Sequence, residues 1–99
     1  MLKVPHFRSE KYREYVSFLP CCVTGMEGGR NDPHHIKGRG HGGSQKCSDL
    51  FCIPLSHDLH QELHQIGWKS FEQKYNICQI SIVLKTIQRA FAEGVLVES

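Results

Sequence analysis

Four histidines carry the chemistry this sequence offers. His60 and His64 stand four residues apart in Ser56-His57-Asp58-Leu59-His60-Gln61-Glu62-Leu63-His64, and His34-His35 form a doublet upstream. On a helix, side chains four apart lie one turn above each other, so a single divalent ion can reach both imidazoles. In an extended segment, adjacent side chains point to opposite faces. One member of the doublet can therefore complete a metal site while the other faces a substrate. A neutral imidazole, with an ordinary pKa of about 6.5, also accepts protons near neutral pH. An HxxxH pair alone is common on solvated helix faces, and a His-His doublet alone says even less. The combination is far more specific.

These groups need particular elements to hold them. Ser56 can cap a helix over 56–66, Asp58 suits its first turn, and Leu59, Leu63 and Ile66 form an apolar stripe beside the two histidines. Gly67 follows as a natural stop. Upstream, Asp32-Pro33-His34-His35-Ile36-Lys37 and Leu50-Phe51-Cys52-Ile53-Pro54-Leu55 read as two extended segments, joined by a glycine-rich stretch that excludes regular helix. Together they predict a small β-hairpin with a long connection. A helix is expected over 9–19, capped by Ser9, with Tyr12, Tyr15, Val16 and Leu19 on one face and Pro20 closing it. After Gly67, Trp68, Phe71 and Tyr75 share a face. Ile80, Val83, Leu84, Ile87 and Phe91 then recur at helical spacing up to Gly94. The order is helix, two strands and a helix, then further helices: an α+β chain.

At 99 residues this is one domain with a thin core, and no internal repeat or linker divides it. Twelve Lys+Arg against ten Asp+Glu leave a net charge of +2, mildly basic and compatible with a phosphate-bearing partner. No apolar run approaches the ~20 residues of a membrane span, and Met1-Leu2-Lys3-Val4-Pro5-His6 lacks a signal peptide's apolar stretch. Membrane insertion and secretion are not expected. Five cysteines, two of them adjacent, make a poor disulfide set and point to reduced thiols in a cytoplasm.

The segment from Leu19 to Phe71, about half the chain, resembles the HNH (His-Me finger, ββα-metal) endonucleases. Within them it is similar to small phage and prophage nucleases allied to recombination-enhancement nucleases. The matching residues are Leu-Pro-Cys-Cys-Val-Thr-Gly at 19–25, His-His-Ile at 34–36, Lys46, Asp49, Ile-Pro-Leu-Ser at 53–56, His60, His64, and Gly67 with Phe71. The resemblance implies a ββα-metal core over 19–71, flanked by an N-terminal helix and a helical C-terminal extension over 72–99, within a single nuclease domain spanning 1–99. It implies His35 as the general base and His34, His60 and His64 as metal ligands. It also places Asp49 where the family has an asparagine that braces the loop carrying the base. Two departures stand out. Asp49 brings a negative charge, and the paired Cys-x-x-Cys knuckles of many HNH proteins are missing, with Thr24, Ser56 and Leu59 in their places.

The implied activity is metal-dependent hydrolysis of DNA phosphodiesters with low sequence specificity. One divalent ion is expected, with Zn or Ni suited to the histidine set as bound ions and Mg or Mn as working ions. Lys37, Arg39 and Lys46 flank the doublet and are candidates for backbone phosphate contacts. His41 in the glycine-rich loop is a candidate substrate contact, and His57 a further ligand or phosphate contact. A recombinase filament or another recombination protein is a candidate partner, and a bacterial host cytoplasm the expected setting. The rival reading is a non-catalytic, metal-stapled nucleic-acid-binding module, because small domains often need such a staple. A peptidase is disfavoured: Gln61 stands where an HExxH motif needs glutamate, and Glu62 comes one place late.

Overall fold

A computed structural model describes residues 7–26, 29–36 and 48–96. Lys37, Arg39, His41 and Lys46 lie outside the described residues, as do His6 and Cys47. Among the described residues the architecture is α+β, with four helices and one two-stranded antiparallel sheet. Helix α1 spans Glu10–Ser17, strand β1 Asp32–His35, a short 3₁₀ turn Asp49–Phe51, strand β2 Cys52–Leu55, helix α2 His57–Ile66, helix α3 Trp68–Tyr75 and helix α4 Gln79–Ala92.

The strands pair as Asp32 with Leu55, Pro33 with Pro54, His34 with Ile53 and His35 with Cys52. Neither proline has an N–H, so their pair must be one that exchanges no ladder bonds, and the outward Pro54 carbonyl accepts from Cys22 N–H at 3.0 Å. One residue beyond the strand, Ile36 N–H donates to the Phe51 carbonyl at 3.0 Å. Two strands alone are marginal in water. Here each face is covered. Ile53 and Leu55 join Cys21, Ile36, Leu63, Phe71 and Val83 in one apolar cluster, and Cys52 joins Tyr12, Val16 and Ala90 in the other. The sheet thus divides two small cores.

Local signals account for the helix limits. Ser9 Oγ accepts from Tyr12 N–H and Ser56 Oγ from Leu59 N–H, while Gly67 takes φ +86°, open to glycine at no steric cost. Helix α1 ends at Ser17, before the proline expected to close it. Leu50 and Phe51, expected in a strand, form the 3₁₀ turn that Ser48 caps. The larger difference concerns α4. Its buried positions are Gln79, Val83, Thr86 and Ala90, whereas Ile80, Leu84 and Phe91 of the apolar stripe are exposed. Val83 and Ala90 enter the two different clusters, so α4 packs against both cores.

Phe71 has no exposed surface and anchors α3 against the larger cluster. Phe71→Ala is expected to cost about 3–5 kcal/mol, read as a lowered urea midpoint.

Candidate metal centre

Strand alternation separates the doublet. His34 shares its face with Asp32, two residues earlier, and both look toward α2; His35 lies on the other face beside its register partner Cys52. From α2, one turn apart, come His60 and His64. The ligand-capable atoms of His34, His60 and His64 all lie within 4.8 Å of one another. Their ring centroids are 4.8 Å (His34–His60), 5.5 Å (His34–His64) and 4.8 Å (His60–His64) apart.

Asp32 orients this group. His60 Nδ1–H donates to Asp32 Oδ2 at 2.9 Å, and the exposed His57 donates to the same oxygen at 3.0 Å. With Nδ1 committed, His60 presents Nε2, which stands 3.1 Å from His64 Nε2. Two nitrogens bound tetrahedrally at ~2.05 Å to one zinc would lie roughly 3.3 Å apart. The spacing and the carboxylate-backed imidazole both fit a metal ligand set. Burial pushes the Asp32 carboxyl up, but the hydrogen bonds from His60 and His57 outweigh it and hold it below the usual carboxylate range.

His35 belongs to a different network. Its Nε2 lies 2.8 Å from Asp49 Oδ1, and the Asp49 side chain is only 1% exposed. Asp49 was expected to brace the loop; its carboxylate meets the imidazole itself. The buried charge is balanced from the N-terminal side, where Ser9 N–H donates to Oδ2 at 2.8 Å, Arg13 Nε approaches Oδ2 at 3.2 Å and Arg8 Nη1 approaches Oδ1 at 3.2 Å. Burial raises the Asp49 carboxyl; the His35 hydrogen bond, the Ser9 N–H and the Arg13 charge together bring it below its ordinary value. Cys52 completes a second group with His35 and Asp49, again with ligand-capable atoms within 4.8 Å. Four donors already occupy that carboxylate.

Both members of the doublet, with His64, line one open cleft of about 200 Å³. Sequence reasoning missed Asp32, Arg8 and Arg13. Asp32 had a readable signal, since position i−2 on a strand shares the face of His34. The two arginines had none, because Asp49 lies some 40 residues away from Arg8 along the chain. Cys21, Cys22, Cys52 and Cys78 form no disulfide among the described residues, and burial pushes the Cys22 thiol up to about 12. Among the described residues no metal-competent group includes Cys21 or Cys22.

Residues 2–94 match the family model described as "Protein of unknown function (DUF968)", and the chain belongs to that family. It is 41% identical over 99 residues to the Escherichia coli (strain K12) "Uncharacterized protein YdfU", covering 96% of this chain and 27% of that protein. The chain thus spans about a quarter of the length of that relative. No solved structure matches it significantly. Among the described residues, no helix is long and apolar enough to cross a membrane.

Because Asp49 titrates lower in the folded protein than its ordinary 3.8, its contribution to stability is present above that pH and lost as pH falls below it. Urea midpoints measured against pH are expected to drop below pH 3.8, and Asp49→Asn should be less stable at neutral pH with a shallower acid slope.

Proposed function

We propose that this chain is a metal-dependent DNA endonuclease of the HNH (His-Me finger, ββα-metal) kind, cutting phosphodiesters with low sequence specificity. One observation carries the reading. Three imidazoles from β1 and α2 converge within 4.8 Å, while the fourth, adjacent in sequence, is held apart by a buried carboxylate and opens on the same cleft. A site that only staples a fold has no use for that fourth histidine.

The roles follow from the hydrogen bonds. Asp49 takes the Nε2–H of His35, which leaves Nδ1 as the basic atom able to draw a proton from an attacking water. Ser9, Arg8 and Arg13 keep Asp49 ionised, so His35 is held in that tautomer and orientation. On the other face, Asp32 presents His60 Nε2 toward its partners. His34, His60 and His64 would hold a divalent ion, and as three neutral donors they would leave its charge undiminished. Such an ion supplies positive charge for the oxygen that leaves the phosphate. Zn²⁺ or Ni²⁺ suits the donors, and Mg²⁺ or Mn²⁺ is the alternative as working ion. Lys37, Arg39 and Lys46 are assigned to phosphate contacts on sequence grounds alone.

Two measurements test this. Asp32→Asn should weaken divalent-ion affinity about 10–100-fold in competition with a chromogenic chelator. Supercoiled plasmid should be nicked by the wild type, and His35→Ala at equal metal loading should lose about 10²–10⁴-fold in rate while still folded at the assay temperature, because Ser9 N–H, Arg8 and Arg13 continue to hold Asp49. Equal nicking by both proteins removes His35 as base. Metal binding without nicking under any of the four ions favours the binding-module reading.

A further inference from the structure

The cleft extends beyond the histidines. Its other lining includes Ile36, Leu63, Trp68 and Gln79, an apolar wall with one aromatic and one amide. Trp68 is about a third exposed. Gln79 is 1% exposed, and its Oε1 has no hydrogen-bond partner among the described residues. A buried acceptor left unmet is costly and marks a place where a donor is wanted. The start of α4 does not explain it, since the helix is capped through the Gln79 main-chain N–H, which donates to Glu72 Oε2 at 2.8 Å. The terminal torsion of a glutamine is soft, so the amide turns toward a donor in the cleft at little cost.

An aromatic face, an apolar wall and an unmet amide are the parts that receive a nucleobase. A dry cavity of about 150 Å³ takes a benzene ring, so 200 Å³ has room for one pyrimidine ring. The geometry points to a pocket for one unpaired pyrimidine base beside the proposed cutting site: the ring stacks on Trp68 and its exocyclic group at the fourth position meets the Gln79 amide. The amide serves either pyrimidine, its Oε1 accepting from the exocyclic amine of cytosine or, turned over, its Nε2 donating to the carbonyl of uracil or thymine. This inference rests on the nuclease reading and narrows its substrate to DNA with an unpaired base at the cut. A base still stacked in a duplex cannot enter.

Trp68 is the chain's single tryptophan, so its fluorescence reports stacking without any cleavage. The metal-loaded full chain is titrated with phosphorothioate-linked oligo(dC), oligo(dU), an abasic strand and an oligo(dC)·oligo(dG) duplex. Oligo(dC) and oligo(dU) are both expected to quench at concentrations about tenfold lower than the abasic strand and the duplex. Gln79→Leu, similar in size and leaving the helix cap intact, should raise the concentration needed for oligo(dC) and oligo(dU) alike by about fivefold. Quenching by the abasic strand or the duplex at the same concentration as the two oligonucleotides, quenching unmoved by Gln79→Leu, or no quenching overturns the pocket. Plasmid nicking without base-dependent quenching overturns the pocket and leaves the nuclease standing. Base-dependent quenching that Gln79→Leu weakens, without nicking under any ion, upholds the pocket and removes the nuclease.

Discussion

The register of two short strands sets everything else in this molecule. Pairing His34 with Ile53 and His35 with Cys52 sends the doublet to opposite faces of one ribbon. A slip by one residue would exchange the faces. His34 would leave the two helix histidines, and His35 would leave its carboxylate. The register is protected because Ile53 and Cys52 are themselves buried in different apolar clusters, so a slip would also turn each into the wrong core. The facing prolines add a further constraint, since they tolerate only a pair that exchanges no N–H bonds.

The two faces treat charge differently. On the α2 face, Asp32 is partly exposed and shared by His57 and His60, so it orients an imidazole without isolation from water. On the α1 face, Asp49 is almost wholly buried, and a charge so placed demands partners. Two half-exposed arginines, a backbone N–H and His35 supply them. That arrangement gives α1 a purpose beyond packing, because its first turn holds the group that holds His35. An asparagine at position 49 would need no such arginines. The acidic residue and the N-terminal arginines form one unit.

The match to YdfU covers about a quarter of that protein. Within this chain, the clusters on both sides of the sheet and the histidine group are built from residues 12 to 90, so the candidate site is formed by the matched segment itself. The exposed stripe of Ile80, Leu84 and Phe91 is the largest apolar feature of α4 that the two cores do not take up.

Short-range rules were legible in the sequence. Ser9 and Ser56 cap the helices they precede, Gly67 stops α2, and the four-residue spacing of His60 and His64 puts both imidazoles on one side. Each depends on neighbours within a turn, and the sequence holds all of them. Alternation along a strand likewise foretold that the doublet would divide. What folding alone decided is long in range. Apolar residues in α4 outnumber the positions of a single face, so periodicity could not choose the buried arc; contact with β2 and α1 chose Val83 and Ala90 over Leu84 and Phe91. The pairing of His35 with Asp49, and of Asp49 with Arg8 and Arg13, crosses two loops and a strand, and a buried carboxylate gathers whichever donors packing brings near. Sequence determined the local geometry of the ligands, and tertiary structure determined their electrostatic partners, because caps and periods are set by adjacent residues while burial is set by the whole fold.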